Sequence, residues 1–334
     1  MLNSKLAIQL QSKRPLAILQ YAKDKFLFNL QAIASDEQFS RKMQKFAYKK
    51  NLNEVAFKKR ADDDEADEGD IADMLEQIMS SMAVPYVTPN GTAVFQIEGV
   101  IGKNLSVMER AIGCCDINDL QAKLKEWAAD SAVKRVVLKI NSGGGTTTGL
   151  EETAKMIFNY KKPTASFTDE DMGSAAYWLG SQCDRVVVTP SSTIGSVGIY
   201  VSFVDESKKF KEDGRNVVVI KSGDFKGAGI EGVPLTQLQG DWIQDEVLDL
   251  HAIFKNTIKR SRSLVKEEEM QGQTFTGLKS AERNLVTGLA DCWDDFIKQF
   301  DDTGEDIIPN IINRGNANAT QPTIVRQSPT RKVR

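Results

Sequence analysis

The spacing of apolar residues along this chain changes character twice. In the first part, Leu16, Ile18 and Leu19, then Phe26, Leu27, Phe28, Leu30 and Ile33, stand among lysines and polar residues. That pattern predicts amphipathic helices in need of a partner surface, within a helical appendage over residues 1–60. The block ADDDEADEGD, residues 61–70, offers almost nothing to bury and predicts a solvated linker. A short helix over 71–82 and a connector through Pro85 and the Asn90-Gly91 turn, together residues 71–91, then lead into the main domain.

From Thr92 short apolar runs alternate with helical periods. Ala93 to Ile97 predicts a strand, Asp116 to Ala129 a helix capped by Asp116, and RVVLKI (135–140) a strand apolar enough to be covered on both faces. A glycine run, Gly143 to Gly145, precedes a helix from about 149 to 160. The segment 163–167 reads as a buried strand that gives way to a helix after Ser174, and 185–189 as a further strand. After the loop holding Gly195 and Gly198 come another strand, a helix near 205–212, a strand over 216–220, a long amphipathic helix over 235–263 and a helix-turn segment ending at 289–291. The succession predicts an α/β fold with a largely parallel sheet in one domain over 92–305. Residues 306–334 are rich in Asn, Pro, Thr and Arg and lack periodicity, which predicts a disordered basic tail.

Composition narrows the classes. A chain of 334 residues with 41% apolar content can bury one large core, and a net charge of −3 carries no polyanion-binding signature, so nucleic acid is not expected as the main partner. Cys114, Cys115, Cys183 and Cys292 show neither metal-ligand spacing nor a disulfide framework, and no metal or other cofactor is expected. No run approaches 18 apolar residues, and Lys5, Lys13 and Arg14 interrupt the start, so a cytoplasmic protein without a membrane partner is expected.

Ser174 is the candidate for chemistry, because it stands between Gly173 and two alanines where a strand meets a helix. Serine is also a preferred N-cap, and capping alone explains it equally simply. The glycine run fits neither a Walker loop nor a dinucleotide loop, since the Gly-Lys-Ser/Thr ending is missing and Thr148 stands at the last motif position. It suits either an oxyanion hole or a tight turn needing positive φ. The single histidine, His251, lies mid-helix in LDLHAIFK, a surface or core-edge position, and no Gly-x-Ser-x-Gly elbow surrounds Ser174. That leaves a lysine as base. Lys226, in SGDFKGAG, is the candidate, although by itself it is a loop lysine.

Four segments in order, INSGGG, MGSAAYW, TIGSVGI and KSGDFKGAG, give the stretch from about Thr92 to Asp291 a likeness. It resembles the signal peptide peptidase family of serine peptidases, relatives of the Clp protease and crotonase folds. The resemblance implies a Ser-Lys dyad, with Ser174 as nucleophile, Lys226 as general base and Ser196 orienting the lysine. It also implies an oxyanion hole at Gly144, Gly145 and the backbone near Ala175. Single-domain relatives build the site between neighbouring subunits, which implies a homo-oligomeric ring. The family usually carries Ser-Pro-Gly-Gly, and here Gly143 stands in the proline position, which implies a less preorganised turn. Membrane-bound members carry an N-terminal transmembrane helix that this sequence lacks, while Pro15-Leu16-Ala17-Ile18-Leu19 resembles the leader of phage and prophage head-maturation proteases, which cleave scaffold and capsid-associated proteins. Protein or peptide substrates of that kind are expected. Other readings stay open: a cytosolic bacterial peptidase, an inactive assembly protein of the same fold, or a crotonase-like acyl-CoA enzyme, which has no use for Ser174 or Lys226.

Overall fold

The structure is a computed structural model that describes residues 16–18, 84–106, 109–110 and 113–303. The acidic linker, the helix over 71–82, the basic tail and the appendage other than Leu16–Ile18 lie outside the described residues. In chain order the strands are β1 (Leu16–Ile18), β2 (Tyr86–Val87), β3 (Thr92–Gly102), β4 (Cys115–Asp116), β5 (Arg135–Thr146), β6 (Thr164–Thr168), β7 (Asp171–Gly173), β8 (Arg185–Val188), β9 (Thr193–Gly195), β10 (Thr274–Thr276) and β11 (Gly288–Leu289). The helices are α1 (Ile117–Ala129), α2 (Leu150–Phe158), α3 (Ala175–Gly180), α4 (Ser207–Glu212), α5 (Gln237–Ser261), α6 (Gly277–Glu282) and α7 (Trp293–Thr303).

The fold is α/β with a largely parallel, curled sheet. β5 is its axis, pairing in parallel with β3 on one side and with β6 on the other, after which β8 and β11 follow in parallel. Near its end β5 leaves β6 and takes β7 as neighbour through Ser142 and Met172, and β7 then pairs in parallel with β9. One long strand thus serves two sheets, and their junction is where the serine falls.

Helices cover both faces, as the unbroken apolar runs of β5 and β8 demand. On one face Leu120, Leu124 and Trp127 of α1, Ala154 and Ile157 of α2, and Trp178 and Leu179 of α3 close over Phe95, Ile97, Val136, Leu138 and Ile140. α5 joins this layer by stacking Phe254 on Trp178 with ring centroids 4.1 Å apart, a contact worth about 0.5–1.5 kcal/mol beyond the area it buries. On the other face Phe296 and Phe300 of α7 pack with Val94, Val137, Phe167 and Val187. The apolar spacing over 235–263 gave α5 within two residues at each end, with Thr236 forming a capping box with Gln239. Asp116 caps α1 as expected, accepting from the Asn118 N–H at 2.9 Å.

Several expectations need correction. The glycine run is no turn into a helix, because β5 continues through it to Thr146 with Val100 opposite Gly144 and Ile101 opposite Gly145. Gly145 is needed because a Cβ there would lie 1.9 Å from the Ile101 carbonyl oxygen. No strand forms over 216–220 or between 199 and 206, where the backbone is irregular. Val218 is 76% and Ile220 98% exposed, so the β-branched run has no neighbour against which to pair. Leu16–Ile18 is a strand rather than part of a helix. α7, which had no counterpart in the apolar spacing, follows the segment that was expected to end at 289–291.

Candidate active site

The register of the parallel strands builds the site. Ser142 of β5 is level with Met172 of β7, and Met172 with Ile194 of β9. Just past these pairings follow Gly144, Ser174 and Ser196, with β5 bulged between Asn141 and Gly144 and the β7–β9 pairing ending at Gly173 and Gly195. Gly144, Ser174 and Ser196 all have positive φ, at 110°, 54° and 53° respectively. For a serine this conformation costs on the order of 1–3 kcal/mol and persists only where surrounding structure enforces it.

Ser174 has φ 54° and ψ −119° and its hydroxyl makes no capping hydrogen bond, although it precedes α3. A capping serine has an extended backbone and an engaged oxygen, so capping does not explain this residue. Its backbone is held instead: the N–H donates to the Gly195 carbonyl at 2.7 Å, and its carbonyl accepts from Trp178 N–H at 2.8 Å. The residue is 1% exposed. Its Oγ is buried with no hydrogen-bond partner, an orphan that costs about 1–3 kcal/mol in a purely structural role.

The glycine strand lies beside it. Ser142 Oγ accepts from the Gly144 N–H at 3.1 Å and itself donates to the Gly99 carbonyl, fixing the bend where Gly144 turns to positive φ. The N–H of Gly144 is therefore engaged, and the first-turn N–H groups of α3, beginning at Ala175, have no partner within the helix. At Gly143, where the family it resembles usually carries proline, the β3–β5 register shifts: Asn141 pairs with Glu98 and Gly144 with Val100, and Ser142 and Gly143 share the interval opposite Gly99.

Ser196 is buried, and its N–H donates to the Gln273 carbonyl at 2.7 Å, while Gly272 N–H returns a bond to the Val197 carbonyl at 3.0 Å. His251 adds to this clamp from α5. Its Nε2 lies 3.1 Å from the Val197 carbonyl oxygen and 2.9 Å from that of Met270, so its N–H holds the Ser196 loop against the segment before β10. In the sequence His251 reads as a surface or core-edge residue without a task, and only its contacts in space reveal one.

Lys226 is not gathered into this group. It is exposed and makes no hydrogen bond to Ser174 Oγ within the chain. Its loop is docked on α5 instead, through the Phe225–Trp242 ring pair at 5.3 Å and a bond from Gln239 Nε2 to the Asp224 carbonyl at 2.7 Å. Among the described residues no group of His, Cys, Asp and Glu could hold a metal ion, and no helix is long and apolar enough to cross a membrane.

The chain is an α/β protein with a buried, positive-φ serine where β7 gives way to α3. The family it resembles is found directly: residues 157–304 match the model of Peptidase family S49. The chain is 33% identical over 153 residues, 45% of its length and 30% of the relative's, to the head-tail preconnector protein GP5 of Enterobacteria phage P21. It is 25% identical over 211 residues, 62% of its length and 47% of the relative's, to capsid assembly protease C of Escherichia phage lambda. The chain thus spans less than half the length of either relative. Among solved structures, an enoyl-CoA hydratase from Mycobacterium avium aligns at TM-score 0.40 and 16% identity, over 66% of this chain and 74% of that one.

Proposed function

We propose that the chain is a serine endopeptidase in which Ser174 is the nucleophile and Lys226 the general base. The observation that carries this reading is the buried, positive-φ and unpartnered hydroxyl of Ser174, one residue past the β7–β9 pairing that ends at Gly173 and Gly195. Lys226 in its neutral form takes the hydroxyl proton as Ser174 Oγ attacks a peptide carbonyl carbon. Ser196 orients the amine, and the N–H groups of Gly145 and Ala175 hold the oxyanion. The amine then returns the proton to the leaving nitrogen, leaving an acyl-enzyme that water hydrolyses. Because Lys226 lies exposed on its own chain, the base reaches the serine of a neighbouring copy in a closed ring, where the interface covers the amine and favours its neutral form. The similarity to a phage head-tail preconnector protein and a phage capsid assembly protease supports scaffold or capsid-associated proteins as substrates.

The test is incubation of the full chain with a candidate scaffold protein. Wild type cleaves it, and Ser174→Ala lowers turnover by at least about 10⁴-fold with circular dichroism unchanged. Equal turnover by the two proteins overturns the assignment.

A further inference from the structure

β5 outruns its neighbours. Its last pairing on the serine side is Ser142 with Met172, and beyond that point Gly144, Gly145 and Thr146 would present a bare edge beside Ser174. An unpaired strand edge is a template for an extended peptide. In this structure the edge is filled by the chain itself: β1 pairs antiparallel with it, Leu16 opposite Thr146, Ala17 opposite Gly145 and Ile18 opposite Gly144. The chain therefore advances from Thr146 towards Gly144, on the side of β5 where Ser142 pairs with Met172 just before Ser174. Two hydroxyls bordering this edge, Ser174 Oγ and Thr146 Oγ1, are buried and have no hydrogen-bond partner.

We propose that Leu16–Ile18 occupies the position of a bound substrate, and that the substrates are uncharged, apolar peptide segments that pair antiparallel with Gly144–Thr146. This rests on the peptidase reading and extends it to the kind of segment that is cut and to its direction across the site. The occupant sits within Pro15–Gln20, PLAILQ, which carries no charge. Two of the paired positions on the β5 edge are glycines, so main-chain bonding holds the segment there, and the occupant's own composition marks the class of segment that fits. A substrate has to displace β1 before its carbonyl can reach Ser174.

Hydrogen exchange on the full chain tests this, in a Ser174→Ala background so that no cleavage alters the sample. N–H groups alternate in direction along a strand, so Ala17→Pro and Ile18→Pro between them remove one that faces β5. At least one of these variants raises exchange at 144–146 by about tenfold or more, with the amides of 136–140 unchanged. A synthetic PLAILQ peptide added to that variant restores the protection, and the same peptide N-methylated at its alanine and isoleucine does not. Unchanged exchange in both variants overturns the occupancy of the edge. Failure of the peptide to restore protection at millimolar concentration overturns the substrate class. A wild-type chain that cleaves nothing would defeat the peptidase reading while leaving the exchange result standing.

Discussion

Two runs of valine in this chain have met opposite fates. Arg185-Val186-Val187-Val188 forms β8, with its valines at 0%, 6% and 0% exposure between β6 and β11. Asn216-Val217-Val218-Val219 forms no strand, and Val218 and Ile220 stand at 76% and 98% exposure. Exposure from Val217 to Ile220 nevertheless alternates between intermediate and exposed, the period of a strand awaiting a partner. Intrinsic preference is the same in both places, so what differs is whether the chain supplies a neighbour. Around β8 it does. Along the arm from Ile199 to Thr236, which carries Lys226, it does not, and Val204, Val218, Ile220, Phe225 and Ile230 lie exposed together with Trp242 of α5. In the proposed account, a second copy of the chain supplies what is missing.

The sharpest test of this contrast sets one charge in each run. Val187→Asp buries an unpaired carboxylate and destabilises the chain by about 3–5 kcal/mol or abolishes folding, as denaturant titration will read. Val218→Asp shifts the stability of the single chain by no more than about 0.5 kcal/mol but prevents assembly, as sedimentation will read. A large stability loss from Val218→Asp would show that the arm is already packed.

Glycine substitutions repeat the comparison at smaller scale. Gly145→Ala drives a Cβ to 1.9 Å from the backbone oxygen of Ile101, whereas a Cβ at Gly223 in the arm meets nothing within 4 Å. Thermal melts should show a loss of about 3 kcal/mol or more for the first and about 0.5 or less for the second.

Titration gives a third measure. Burial pushes the thiols of Cys114 and Cys183 from 9.0 up to about 12, and raises Cys115 and Tyr177 further. Between pH 9 and 12 the unfolded thiols have lost protons that the folded ones keep. The unfolded chain then binds fewer protons, and stability falls with rising pH by about 1.4 kcal/mol per unit for each such thiol. Equilibrium unfolding followed from pH 8 to pH 11 checks this slope. Under native conditions at pH 8 iodoacetamide should modify only the exposed Cys292, with the three buried cysteines reacting after unfolding. The smallest effect belongs to Ser174→Gly, which removes the strain of φ 54° and raises stability by about 1 kcal/mol while eliminating activity.

Much of the fold was legible because local signals and tertiary context agree in it. β5, α1, α2, α3 and α5 have the expected type, and Asp116 and Thr236 cap helices as their side chains allow. The arm was misread because NVVVI carries a strand signal, while no strand of the described sheet runs beside it. α7 was missed because it is short and opens with Trp293-Asp294-Asp295, and its value lies in Phe296 and Phe300 meeting a sheet face that no local pattern reveals. At the site, Ser174, Ser196 and Gly144 were legible as motifs. Their shared positive φ was not, since it arises where β5, β7 and β9 bend or end, and neither was the clamp made by His251.

The central claim is that Ser174 of one copy is served by Lys226 of another, and complementation measures it directly. Ser174→Ala and Lys226→Ala chains are each prepared inactive, dissociated, mixed and reassembled, and cleavage is assayed in assemblies whose mixed composition is verified by mass. The account predicts that activity returns, because some junctions pair an intact serine with an intact lysine. Mixed assemblies that recover none would place the dyad within one chain and contradict the shared site.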